Sequence, residues 1–310
     1  MALQNSFPSG GGLTTHAQAR RDLEGSVARS AAGVMRAGVL PNHHNQLYTR
    51  RNDMRFDIAD FRAVQNKAGA GFIANVGVET TPVFAAAPAA NKRIDLLYLS
   101  QEITPGDPLN EIKFFIAPGT ASPSPVAPSL PAASADAIPW MTVEIPAGAT
   151  SMQSAGVIVK EIFPYTAMAG GTVIVRDLIE LGAWAPADGS RAFCIADNAE
   201  YVRVGGVWRA LDTGWTYPTI SNGTNYPGRP VRYRKINGVV FLGGLWTPSS
   251  NNQTAYTLPP GFRPSEDIYC WVERDTLTRC IVQADGQVRF VGPGGTGAIY
   301  WATAPSFPAA

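Results

Sequence analysis

Few residues in this chain combine the type and the spacing that catalysis or metal binding requires. The three histidines are His16 and the adjacent pair His43-His44. Neighbouring positions in regular structure cannot turn both imidazoles toward one metal, so the pair reads first as a surface loop and second as a metal or pH-sensitive contact. Acid–base work would then fall to carboxylates. Glu266-Asp267 and Glu273 with Asp275 are close enough to serve a glycosidase, yet they fall at hairpin ends, where acidic side chains ordinarily bond local backbone. Nucleophile-elbow, P-loop, dinucleotide and HExxH patterns do not occur. The run Gly292 to Gly297 is glycine-rich, but no Lys-Ser/Thr follows it and it lies between predicted strands, which makes it a loop. No catalytic residue, cofactor or metal is expected.

The three cysteines, Cys194, Cys270 and Cys280, are too few for a disulfide scaffold and form no C-x-x-C pair. Cys270 and Cys280 lie symmetrically about Asp275, so a hairpin turning there sets them opposite each other. A cross-strand disulfide and two buried thiols are both open, and a reducing cytosol favours the thiols.

What remains is a concentration of aromatic and amide side chains in the last hundred residues. Some of these aromatics must be core, as strand aromatics usually are. Those near predicted loop ends, Tyr217, Tyr226, Trp246 and Tyr256, with Asn251 and Asn252, are candidates for a glycan site. Sugar C–H faces stack on rings, and sugar hydroxyls suit amides. At the other end, Arg20-Arg21 and Arg50-Arg51 are the basic pairs of a segment with eight Lys/Arg and five Asp/Glu up to Arg62. They are either solvated or a docking contact for an acidic partner.

Positioning these residues requires β-structure. Gly 31 and Pro 25 disfavour helices, while 45% hydrophobic residues suffice for real cores. The pattern predicts a mainly β chain in four parts. Residues 1–52 form an N-terminal arm with a short helix beginning at Thr15, and residues 53–168 a proximal β-sandwich or barrel whose most apolar strand is Arg93–Ser100. Residues 169–212 form a small β-hairpin connector turning at Gly205-Gly206, and residues 213–310 a C-terminal β-sandwich head. In the head, Asn237-Gly238 and Asp285-Gly286 are hairpin signals, and the first places Tyr233 opposite Leu242. Net charge +1 provides no field to gather nucleic acid or anionic membrane. The uncharged stretch 114–135 is too rich in proline to span a bilayer, and the opening MALQNSFPSGGG lacks the basic and apolar regions of a secretory signal.

Several tracts resemble a known family. Pro8 to Thr15 followed by Gln18 to Arg29, the tract Asn91 to Tyr98, the proline-rich Ala117 to Pro131, and Asn198 to Trp208 are similar to successive parts of minor tail proteins of siphophages infecting actinobacteria. Arg234 to Phe241, with Leu258 to Pro264 and Ala284 to Val288, resembles a phage receptor-binding head. The resemblance implies a homotrimeric virion protein made in the host cytoplasm. Its N-terminal part would be fastened to other tail-tip proteins and its heads would face a host surface glycan, with no nucleic-acid partner and no membrane insertion. It carries over no catalytic residue. A purely structural tail connector and a tail-associated polysaccharide-degrading enzyme stand as alternatives.

Overall fold

The computed structural model describes residues 16–31, 34–42, 44, 46–67, 69–101, 111–249, 253–273, 277–291, 300–301 and 305–309. The chain is mainly β. It divides into two compact units, residues 1–198 with 203–208, and residues 199–202 with 209–310.

In the first unit a helix at His16–Glu24 precedes the strands. Three sheets then share one core. Gly38–Leu40, Phe61–Asn66 and Ala70–Asn75 form one; Tyr48–Arg50, Phe56–Ile58 and Glu79–Thr80 a second; Ile112–Ala117, Lys92–Gln101, Ile138–Pro146 and Ile158–Glu161, in that order, a third. Lys92–Gln101 is central in its sheet, and its consecutive residues from Leu96 to Gln101 are all buried because both of its faces are covered. Trp140, fully buried, is packed by Phe61, Phe114 and Phe163 at ring separations of 4.6, 5.2 and 4.9 Å.

The described residues between 16 and 52 therefore pack within the first unit rather than as a separate arm. Gly38–Leu40 pairs with Phe61–Asn66, and Tyr48–Arg50 pairs with Phe56–Ile58. Gly38 lies so close to the 164–165 backbone that a Cβ there would meet the Pro164 carbonyl oxygen at 2.3 Å, which only glycine permits. The connector is likewise divided. Thr172–Val175 and Arg191–Cys194 pair in parallel, linked by the helix Leu178–Ala183, and bury Val173, Val175, Leu181, Trp184, Ala192 and Cys194 in the first unit. The predicted hairpin Ala199–Val204 with Val207–Ala210 forms, with Gly205 and Gly206 both at positive φ. Its tip belongs to the first unit and its base to the second.

The second unit holds a five-stranded sheet, in the order Thr254–Thr257, Gln287–Val291, Leu277–Val282, Ile268–Glu273, Tyr300–Trp301. A three-stranded sheet of Arg232–Ile236, Val239–Gly243 and Ser306–Pro308 and a two-stranded ladder of Thr224–Asn225 with Trp246–Thr247 complete it. Their inner faces meet around Tyr233, Val240, Leu242, Trp246, Tyr256, Val282 and Phe290. Asn237 and Gly238 both adopt positive φ, the geometry of a type I′ turn, and Tyr233 stands opposite Leu242 as the hairpin predicts. At Asp285-Gly286 only the glycine does, so that turn is of another kind.

Candidate functional site

The outer face of the five-stranded sheet in the second unit presents two rings to solvent. Strand Ile268–Glu273 alternates, so Cys270 points into the core while Tyr269 and Trp271 point out, 61% and 58% exposed. Register places Arg279 beside Trp271 and Ile281 beside Tyr269, with Arg289 next to Ile281 and Thr254 next to Arg289. The Arg279 guanidinium sits 5.4 Å from the Tyr269 ring centroid. A bulge between Thr254 and Tyr256 turns Ala255 and Tyr256 both inward and leaves Thr254 and Thr257 on the outer side, Thr254 donating to Gln287 Oε1 at 2.7 Å. The surface so made combines two rings, two guanidinium groups and short hydroxyls. It offers stacking area and hydrogen-bond donors.

Of the six residues singled out in the sequence, the four described ones do not share one exposed surface. Tyr217 and Tyr226 are exposed, at 58% and 40%. Trp246 and Tyr256 are core residues, and they present no ring face to a ligand. The Trp246 indole donates to the Asn222 carbonyl at 2.7 Å and meets Phe290 edge-on, while Tyr256 is 1% exposed and its hydroxyl has no hydrogen-bond partner. Burial pushes that phenol well above its ordinary pKa. Asn251 and Asn252 lie outside the described residues, as do His43, Asp275 and the 292–297 loop. Tyr269 and Trp271 escaped selection because their loop distance is larger. The signal that finds them is their alternation with Cys270, whose register partner is Cys280. Both of those thiols are buried and free, and the hydrogen bond between them, with burial, pushes Cys280 well up.

The basic pairs near the N-terminus are mostly engaged within the first unit. Arg20 is buried and donates to the Lys67 carbonyl; Arg50 donates to the Val157 carbonyl; Arg51 binds both Asp53 and Asp57. Arg21 is exposed. Docking through Arg20, Arg50 or Arg51 would require breaking these contacts.

The first unit also carries a cavity of about 250 Å³ lined by Val39, His44, Leu47, Glu161, Phe163 and Tyr165, among others. His44 Nε2 lies 2.7 Å from Asp60 Oδ1, and Glu161 Oε1 accepts the Leu47 N–H at 2.8 Å. Burial raises the Glu161 pKa, only partly opposed by that hydrogen bond and by Arg176. Among the described residues no group of three His, Cys, Asp or Glu side chains is placed to hold a metal, and no helix is long and apolar enough to cross a membrane. No protein-family model and no curated protein matches this chain.

Proposed function

We propose that this chain is a tail-tip component of an actinobacterial siphophage that binds a host surface glycan through its C-terminal unit and acts as a homotrimer. The observation that carries the reading is the outward pair Tyr269 and Trp271 with Arg279 and Arg289 in register, a face suited to sugar rings. The ordered resemblance of the sequence tracts to minor tail proteins supports the viral setting. Exposed Val76, Val78 and Val83, three large apolar side chains within eight residues of chain, support burial against another copy. Three weak heads on one assembly gain avidity without new contacts. The N-terminal part, with Arg21 exposed, engages other tail-tip proteins and thereby places the chain in the virion.

The test is binding of the fluorescently labelled full chain to host cells. Wild-type protein labels cells and a Tyr269→Ala/Trp271→Ala variant of unchanged circular dichroism does not. A wild-type protein that leaves cells dark while virions adsorb normally supports a structural connector instead. New reducing ends released from cell-wall glycan support an enzyme. Light scattering is expected to give a mass about three times 33.0 kDa.

A further inference from the structure

A second cationic surface of the C-terminal unit is built around Trp215. Strand Arg232–Ile236 sends Tyr233 into the core and places Arg232 and Arg234 on the opposite face. Both guanidinium groups rest on the Trp215 indole, at 4.4 and 4.9 Å from the ring centroid. The ring is held from two sides. Thr216 and Tyr233 exchange backbone hydrogen bonds at 2.8 and 2.9 Å, and the indole edge lies over Gly243, the register partner of Arg232, at a distance where even a Cβ would make ordinary van der Waals contact, 3.5 Å.

The hydrogen-bonding capacity of this cluster is incompletely satisfied. The Nε atoms of Arg232 and Arg234 are both buried and unpartnered. Arg234 faces one carboxylate, Asp212, at 3.7 Å, and among the described residues Arg232 has neither an ion pair nor a hydrogen bond. Lys235 is committed to the Gly261 carbonyl. Residues 209–249 hold five basic side chains against one acidic. Stacking on an indole fixes a guanidinium plane and leaves its terminal N–H edge outward, which is the preorganised form that binds oxyanions. Positions two apart on a strand are separated by about 7 Å, and both guanidinium groups rest on one ring, a spacing that lets two forks share one tetrahedral anion, whereas a planar carboxylate is satisfied by a single fork.

We infer that Arg232 and Arg234, positioned by Trp215, clamp a phosphate group, and that the natural ligand is a phosphodiester-linked saccharide or polyol polymer of the cell surface. The polymer assignment rests on the receptor reading above; the clamp does not.

The test uses the full chain at constant ionic strength, titrated calorimetrically with inorganic phosphate and with a glycerol-phosphate oligomer. Neutral dextran, duplex DNA and phosphatidylglycerol vesicles serve as comparisons. Wild type is expected to bind both phosphate probes saturably. Arg232→Gln/Arg234→Gln is expected to lose about tenfold or more in affinity at unchanged thermal stability. Arg232→Lys/Arg234→Lys, which keeps charge but not the fork, should fall between. Tyr269→Ala/Trp271→Ala should bind phosphate as wild type does. Absence of saturable phosphate binding, or affinity unchanged in the double Gln variant, overturns the clamp. DNA or vesicles binding more tightly than the glycerol-phosphate oligomer overturns the polymer assignment. Cell labelling that persists without phosphate binding sinks the clamp alone, and phosphate binding without cell labelling sinks the receptor reading alone.

Discussion

At the residue scale, burial decides what each polar group contributes. Arg93 and Asp95 form an ion pair inside the first unit, Asp95 fully buried, with Arg93 also donating to the Ala85 and Ala86 carbonyls and Asp95 accepting the Gly119 N–H at 2.9 Å. Removing one charge leaves the other uncompensated, so Asp95→Asn is expected to cost about 3 to 5 kcal/mol in denaturant unfolding of the full chain. Tyr256 is the opposite case. Its hydroxyl forms no hydrogen bond, so Tyr256→Phe is expected to leave stability unchanged or raise it by about 1 kcal/mol in the same measurement; a clear loss would show that the hydroxyl has a partner in solution. Tyr256 also shows where sequence reading stops. A tyrosine near a loop looks the same whether its ring faces water or core, and only the bulge at Thr254–Tyr256 turns it inward. Trp271 was legible in principle, because alternation with a thiol that pairs across the hairpin assigns its face.

At the element scale, strands bounded by local turns were readable and those paired over long distances were not. Arg232–Ile236, Gln287–Val291 and Thr172–Val175 follow from alternation and flanking turn residues. Gly38–Leu40 and Tyr48–Arg50 are three residues each, and they are strands only because Phe61–Asn66 and Phe56–Ile58 lie alongside. No local signal marks them. The Gly205-Gly206 hairpin was legible, but not its anchor. Both Asp188 carboxylate oxygens accept the N–H groups of Gly205 and Gly206, at 2.8 and 2.9 Å, which lowers the Asp188 pKa. A carboxyl whose folded pKa is depressed stabilises above its unfolded pKa and loses that contribution as pH falls through the folded value. Asp188→Asn should therefore lower the melting temperature at neutral pH and flatten its decline below about pH 4. A wild-type acid limb retained in the variant would assign that decline elsewhere.

At the scale of the whole molecule, each unit has its own hydrophobic core, one centred on Trp140 and the other on Tyr256 and Phe290. Core truncations should accordingly be local in effect. Phe290→Ala, expected to cost about 3 to 5 kcal/mol, should shift one calorimetric transition and leave protection of amides around Trp140 in hydrogen exchange unchanged; equal loss in both cores would show that the chain unfolds as one cooperative body. Composition foresaw this β-rich organisation, since glycine and proline cluster at turns and crossings. It did not foresee the boundary, which falls inside a hairpin rather than in a linker.

The turn that sets the register of Arg232 and Tyr233 also gives the molecule a clock. Asn237 is exposed and followed by glycine, whose missing side chain lets the Gly238 nitrogen approach the Asn237 side-chain carbonyl. Attack there expels ammonia and closes a succinimide. Water then reopens the ring to aspartate or to isoaspartate, which carries the main chain through one additional carbon. The first adds a negative charge two residues from Lys235. The second lengthens a two-residue turn whose backbone geometry holds Ile236 opposite Val239. The protein would thus age at this turn, in the sheet that carries the arginine pair.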